Sequence, residues 1–369
     1  MKLLKRIMRS YMSWIKILKF NLLTIISLLL ILEVTLSFAF LVREKVSVNN
    51  EVESTLKPNW TNDVLGFKNK TKNFRGYPYK AFLGWVSPDV QGQYLNITDG
   101  QRHTVLAKSI ENEETLHFFG GSTMWGHSVS DKNTIPSLVS ENLKINSVNY
   151  GEQAYNSRQE LNLLLDKLET IKANDVVIFY DGVNDAYHNC RSHNSPNGNA
   201  REFFIKQKLS SNYPDRVNLL ESLSIYRFIR GFSNKISNSN SNSNKDKGYT
   251  NECSNIDYAN KVANFLVNNW KAVDAILLEK NVKFICGLQP NPYTFDGNIE
   301  YSLVEFNDQI DSVYPLIIEK AKGMSCFVDY SKVMTQDNYV DDCCHLNEHG
   351  NAEISREIAT SIRKYLVQR

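Results

Sequence analysis

The sequence predicts a three-layer α/β sandwich around a five-stranded parallel sheet, carried behind an N-terminal membrane-spanning helix and a short β-rich lead-in. Three observations predict it. A long apolar run occupies residues 20–42, short apolar strands alternate with amphipathic helices from residue 115 onward, and chemistry-bearing residues recur just after those strands. In order, the expected elements are strand LHFFG (116–120), helix 135–143, strand SVNYG (147–151), helix 158–171 and strand DVVIFYDG (175–182). After an interruption come helix 258–279, strand VKFICGL (282–288), helix 303–322, strand SCFVDY (325–330) and helix 348–366. Strands of five to eight apolar residues alternating with helical patterns imply βαβ units, hence parallel pairing with helices on both faces.

The run from Phe20 to Val42 is long enough to cross a bilayer as one helix. Its single charge, Glu33, costs roughly 3 kcal/mol at a bilayer centre, which the many Leu, Ile and Phe residues outweigh. Lys2, Lys5, Arg6, Arg9, Lys16 and Lys19 precede it, so the positive-inside rule predicts a cytoplasmic tail at 1–19, an anchor at 20–42 and an exported remainder. A cleaved signal peptide is the alternative, because Ser37-Phe38-Ala39 has the small-x-small pattern, but the apolar stretch exceeds an ordinary h-region. Both readings export the rest of the chain, including all six cysteines, and disulfides persist on that side. Their pairing is not readable from spacing. Cys286 and Cys326 sit in strand-like runs and read as buried small hydrophobes, whereas Cys190, Cys253, Cys343 and Cys344 fall in loops.

Residues 43–114 carry aromatic and turn signals such as Tyr77-Pro78-Tyr79 and Asp99-Gly100, the basis for a β-rich lead-in. Residues 115–369 form the main domain, interrupted at about 190–255 by an insertion whose Asn/Ser-rich part, SNKISNSNSNSNKDKG, cannot build a core. A formal charge of +2 with 22% charged residues offers no basic excess for nucleic acid, and none is expected as a partner. Sequons at Asn59, Asn69 and Asn96 would matter only in a eukaryotic secretory pathway.

In open α/β sheets ligands bind beyond the carboxyl ends of the strands, so the residues there are the candidates. Gly120-Gly121-Ser122 follows the first strand, where small residues allow a sharp turn that exposes the Ser122 hydroxyl. Gly182-Val183-Asn184-Asp185 follows the third, and the Asn184 amide can donate to a developing oxyanion. Asp341-Asp342-Cys343-Cys344-His345 follows the last; there the spacing lets Asp342 hold an imidazole while His345 takes a proton from serine. Singly, each motif reads as a strand-to-helix turn with a capping residue. Asp341, Asp342, Cys343, Cys344, His345 and His349 also form a candidate zinc cluster, a reading that leaves Ser122 and Asn184 unexplained.

Taken together and in this order, Ser122, Gly182-x-Asn184-Asp185 and Asp342-x-x-His345 resemble the SGNH/GDSL hydrolase family across roughly 116–368. Gly121 stands where that family usually has Asp, and the Gly-Gly-Ser-Thr form looks like the variant of membrane-linked members. The resemblance implies a flavodoxin-like sheet order, a Ser122-His345-Asp342 triad, and an oxyanion hole from the N–H groups of Ser122 and Ala154 with the Asn184 amide. Ala154 takes the place of the family's second-motif glycine, with Gly151 as the other candidate. It also implies acyl transfer to water without cofactor or metal, on an O-acylated, especially O-acetylated, extracytoplasmic glycan. Acyl transfer to a sugar hydroxyl, lipid ester hydrolysis and a catalytically silent glycan-binding role stay open. Trp125, Arg158, Gln289 and Tyr293 lie near strand ends as candidate pocket residues.

Overall fold

The computed structural model describes residues 2–55, 76–110, 113–191, 251–294, 304–341 and 343–367, with isolated residues at 63, 66–67, 70–71, 198–199, 223–226 and 228–229. The chain divides into two compact units, Met1–Glu51 with Ser211–Gly248, and Val52–Ser210 with Tyr249–Arg369.

In the first unit, α1 (Lys2–Thr55) is one long helix. Its stretch Trp14–Val42 has a mean hydropathy of 2.6 with none of it buried, so it is long and apolar enough to span a membrane or to serve as a signal sequence. The helix continues past the expected end at Val42, since nothing in Arg43–Thr55 breaks helical geometry: that stretch holds neither Gly nor Pro.

The second unit carries the sheet. A two-residue antiparallel hairpin, β1 (Ile97–Thr98) and β2 (Gln101–Arg102), lies in the lead-in. Beyond it, the described lead-in adds one isolated bridge, Val90 to Ile97, so this region is mostly irregular chain rather than β-rich. Then follow β3 (Thr115–Gly120), the single-turn α2 (Ser122–Trp125), α3 (Ile135–Leu143), β4 (Asn146–Asn149), α4 (Ser157–Lys167), β5 (Val176–Asp181) and α5 (Val183–Asn189). After the insertion come α6 (Ile256–Glu279), β6 (Lys283–Leu288), α7 (Val304–Ala321), β7 (Phe327–Asp329) and α8 (Glu348–Val367). The five long-range strands are all parallel, in the order β4-β3-β5-β6-β7. This is the flavodoxin-like arrangement the sequence led us to expect, with its topological switch between β3 and β5.

The two faces of the sheet follow from the strand period of two. Phe118, Ile178 and Ile285 pack on one side with Val139 of α3 and Ile354, Ile358 and Ile362 of α8. Their neighbours Phe119, Phe179 and Cys286 pack on the other with Leu164 of α4, Leu266 and Trp270 of α6 and Val313 of α7. Both faces are covered, which is why these strands read as continuous apolar runs rather than alternating ones. Helix starts are set by side-chain caps: Asn156 accepts from the Gln159 N–H, and Asn255 from the Asp257 and Tyr258 N–H groups.

Cys190 and Cys253 form a disulfide 63 residues apart in sequence. Alongside it, the Glu252 N–H donates to the Cys190 carbonyl at 2.8 Å and Arg191 bridges Asn251. The insertion thus leaves and re-enters the domain at one point. The Asn/Ser-rich stretch expected to lack a core lies outside the described residues. Cys286 and Cys326 are buried and unbridged, as expected of small hydrophobes.

Ile358 is fully buried at the centre of the α8 face. Ile358→Ala is expected to lower unfolding free energy by about 2 to 5 kcal/mol, because the site loses apolar contact and keeps part of the cavity. Urea unfolding followed by circular dichroism checks this, with an unchanged m-value expected.

Candidate active site

Ser122, Asn184 and His345 converge at the carboxyl edge of the sheet where strand order reverses. Gly120 ends β3, and Ser122 is the first residue of α2. A residue in that position has a backbone N–H with no partner inside its own helix. The turn is closed behind it by Gly126 in the left-handed region (φ 92°), whose N–H donates to the Ser122 carbonyl at 3.0 Å.

The serine hydroxyl lies 2.7 Å from His345 Nε2. On the far side of the ring, Nδ1 donates to Asp341 Oδ2 in a short hydrogen bond. In the neutral ring this selects the tautomer with the proton on Nδ1, leaving Nε2 to accept from serine. The histidine's carboxylate partner is therefore Asp341, where the spacing pointed to Asp342, which lies outside the described residues. The physical reason is a tight turn. Asp341 Oδ1 collects the N–H groups of Cys343, Cys344 and His345 at 3.0, 3.2 and 3.3 Å, and this curls the chain so that the imidazole returns onto Oδ2.

Burial works against ionisation of Asp341, but the His345 hydrogen bond and charge and the Cys343 N–H overcome it and hold the carboxyl at about 2. For His345 burial disfavours the imidazolium, while Cys344 and the Asp341 carboxylate favour it and push the ring up to about 9. The His127 ring stacks on His345 at 4.1 Å between centroids. Thr123 Oγ1 donates to the Cys344 carbonyl at 3.2 Å, tying the serine turn to the histidine loop.

Asn184 stands at the head of α5. Its Nδ2 donates to the Tyr155 carbonyl at 2.7 Å, which leaves its second amide hydrogen for another acceptor. A Cβ built on Gly121 would fall 2.3 Å from that Nδ2 and 3.4 Å from the Tyr155 carbonyl. So a glycine at position 121 is a requirement of this packing: Asn184 occupies the space. Asp185 next to it accepts from Ser157 Oγ at 2.5 Å and from the Ser157 N–H. Burial raises the carboxyls beneath, Asp185 to about 8 and Asp181 to about 6, and Glu160 is pushed upward with them.

Ala154 adopts a left-handed conformation (φ 60°), the kind of position a glycine takes without strain. Its N–H has no hydrogen-bond partner among the described residues. The other candidate, Gly151, has its N–H committed to Asn149 Oδ1 at 2.9 Å, and a Cβ there would sit 2.4 Å from the Trp125 nitrogen. Of the two candidates, Ala154 is thus the one whose N–H has no partner among the described residues.

The lead-in supplies what the sequence reading missed. Buried Glu152 accepts from the Ser87 N–H at 2.6 Å, the Ser87 hydroxyl at 2.7 Å and the Gln153 N–H at 2.7 Å; burial still lifts its carboxyl to about 7. Trp85 Nε1 donates to the Gln153 carbonyl at 3.0 Å. Arg102, fully buried, donates to Asp131 Oδ1 at 2.9 Å, to the Gly126 carbonyl at 2.5 Å and to the Val129 carbonyl at 2.7 Å. Its guanidinium also lies 4.5 Å from the Trp125 ring centroid. These contacts go mainly to backbone carbonyls, which leave no signature in a sequence.

Of the four candidate pocket residues, Trp125 packs against Phe67 with only 3% exposure, Gln289 and Tyr293 are buried, and the Arg158 guanidinium lies over Phe265. Among the described residues no group of three or more His, Cys, Asp and Glu side chains is arranged to hold a metal ion, and His349 is exposed on α8.

No family model matches the chain, and no curated protein does. Solved structures do. A carbohydrate acetylesterase family member from Sinorhizobium meliloti is 15% identical, covering 68% of this chain and 98% of its own with a TM-score of 0.40. A putative lipolytic protein of the G-D-S-L family from Desulfitobacterium hafniense DCB-2 is 13% identical over 67% of this chain and 99% of its own, TM-score 0.38. An acetyl xylan esterase, AlAXEase, is 16% identical over 67% and 99%, TM-score 0.38.

A neutral imidazole is needed to take the serine proton, so labelling of Ser122 by a fluorophosphonate should accelerate as pH rises through about 9. Asp341→Asn is expected to slow labelling by roughly 10³ to 10⁴ and to move the midpoint down toward the ordinary histidine value. Asp342→Asn should leave both close to the parent chain; the reverse ranking would return the role to Asp342.

Proposed function

We propose that this chain is a serine ester hydrolase of the SGNH/GDSL type, held in a membrane by residues 20–42. It removes O-acyl groups, acetyl foremost, from a glycan outside the cytoplasm. The single observation that carries the reading is the continuous relay from Ser122 Oγ through His345 to Asp341. The order of nucleophile, amide donor and histidine on successive strand ends supports it.

In this mechanism His345 Nε2 accepts the hydroxyl proton as Ser122 Oγ attacks the ester carbonyl carbon. Asp341 keeps the imidazole oriented and stabilises the imidazolium that forms. The N–H groups of Ser122 and Ala154 and the amide of Asn184 receive the negative charge that develops on the carbonyl oxygen. The sugar hydroxyl departs with the proton from His345, leaving an acyl-serine. Water, deprotonated by the same histidine, then releases the carboxylic acid and restores the serine.

Both departures from the family pattern are compatible with this chemistry. Gly121 makes room for Asn184, and Ala154 reaches the left-handed conformation that a glycine would occupy. The apolar stretch Trp14–Val42, none of it buried, and the basic flank before it support an anchor over a cytosolic role.

Hydrolysis of p-nitrophenyl acetate, of longer acyl esters and of an acetylated oligosaccharide by the detergent-solubilised chain tests the proposal. Acetate release that Ser122→Ala abolishes is the expected result. Asn184→Ala should cost about 3 to 4 kcal/mol of barrier, a slowing of roughly 10² to 10³, with the thermal midpoint little changed. Acetyl appearing on an added sugar in preference to water would make the chain a transferase, and absence of both turnover and serine labelling would point to a binding role.

A further inference from the structure

Cys343 and Cys344 are neighbours in the turn that delivers His345, and the relay from serine to aspartate uses neither side chain. Their sulfurs lie 3.4 Å apart, in contact and unbridged. Cys343 is half-buried, so a reagent can reach it; Cys344 is buried, with its Sγ 3.6 Å from Oγ1 of Thr123, the residue after Ser122. The Cys343 thiol donates to Cys344 Sγ, a bond that pushes the first thiol up and, with the His345 charge, draws the second down against burial. Cys344 is therefore the readier thiolate of the two.

A bridge between neighbours differs from an ordinary one. Cys190 and Cys253 are joined across a Cα–Cα distance of 5.1 Å, inside the usual range of about 4.4 to 6.8 Å. Consecutive residues stand about 3.8 Å apart across a trans peptide, below that range, so closing a ring between them must turn the intervening peptide. Strained disulfides are the easily reduced ones, and a bond of this kind forms and opens with the redox poise around it. The peptide that must turn carries the Cys344 N–H, which Asp341 Oδ1 accepts at 3.2 Å.

The movement has no outlet along the chain. The Val340 N–H donates to the His345 carbonyl at 2.9 Å and Tyr339 bridges Leu346, which pinches the loop shut behind the cysteines. Strain at 343–344 thus falls on the Asp341 grip of the three N–H groups and on the Thr123 bond to the Cys344 carbonyl. Those are the contacts that bring the imidazole onto Asp341 Oδ2 and within reach of Ser122.

We propose that Cys343 and Cys344 are an oxidative modification site: a vicinal disulfide formed there by exchange with another disulfide pulls His345 out of register with Ser122 and switches the hydrolase off until it is reduced. A Cys343 thiolate attacks one sulfur of R–S–S–R, breaking that bond and releasing RS⁻. Cys344 Sγ then attacks Cys343 Sγ, breaks the mixed disulfide and releases the second RS⁻; the two cysteine protons leave on two RSH. The gating rests on the serine-hydrolase reading of Proposed function, whereas the bridge itself does not.

The test equilibrates the detergent-solubilised full chain in glutathione buffers from fully reduced to fully oxidised. Part of each sample is unfolded in acid, alkylated and analysed by mass spectrometry; the rest is labelled at Ser122 with a fluorophosphonate. As oxidised glutathione increases, the peptide holding Cys343 and Cys344 should lose two hydrogens and escape alkylation. Labelling should slow in step, by roughly 10³-fold once all of it is bridged, the order expected of a histidine that has lost its orientation. Return to reduced glutathione should restore both. Cys343→Ser and Cys343→Ala keep the backbone N–H and the Cys190–Cys253 bridge, and should label at the reduced parent's rate in every buffer. Two alkylated thiols throughout, or glutathione retained on Cys343 in place of the bridge, would overturn the modification site alone. A bridge that leaves labelling unchanged, or Cys343 variants that slow alongside the parent, would overturn the gating. A reduced parent chain that takes no label at Ser122 would overturn the hydrolase reading and the gating together, with the bridge still decided by mass.

Discussion

The site depends on how closely two strand ends approach each other at the switch between β3 and β5. Gly121 brings the serine turn against the Asn184 amide with no room for a side chain between them, and the Tyr155 carbonyl completes the contact by accepting from the same amide. Three loops are thereby fixed together: the serine turn, the Ala154 loop and the head of α5. A donor aimed at a developing charge is effective only if it does not have to reorganise, so in the proposed mechanism this packing is part of the chemistry. The sheet beneath supplies the rigidity, covered on both faces by apolar helices.

A second layer of support comes from the lead-in, which is irregular in structure and yet strongly engaged. Arg102 reaches carbonyls that the short helix α2 and the loop after it leave unsatisfied, and Asp131 balances its charge. A buried guanidinium is costly unless every donor is used, and here its nitrogens find four acceptors. Glu152 does the same for the Ala154 loop through Ser87. Because removal of either group would leave its partners buried and unpaired, the lead-in belongs physically with the parallel sheet, consistent with its falling inside the second compact unit from Val52 onward.

The parallel sheet was legible because doubly covered strands appear as unbroken apolar runs, and Ser122, Asn184 and His345 were legible because they stand directly after such runs. Asp341 was harder to find. Two adjacent aspartates precede His345, and the one that bonds the ring is decided by which carboxylate gathers the following N–H groups, a matter of backbone turn rather than spacing. Arg102 and Glu152 carried no signal, because their partners are mostly main-chain atoms or a serine some 65 residues away. Among the described residues the lead-in is less β-rich than expected for a related reason: its aromatic residues, such as Trp85 and Tyr77, pack onto the core beneath the sheet instead of pairing as strands.

The Cys190–Cys253 bridge joins the two ends of the insertion, and it also divides the proposed active site along the chain. Ser122, Ala154 and Asn184 lie before it, whereas Asp341 and His345 lie after it. A protease that cuts anywhere between the two cysteines would therefore place Ser122 and His345 on separate polypeptides. The molecule would remain one covalent piece under oxidising conditions, its serine still facing its histidine, and would come apart into two chains only on reduction.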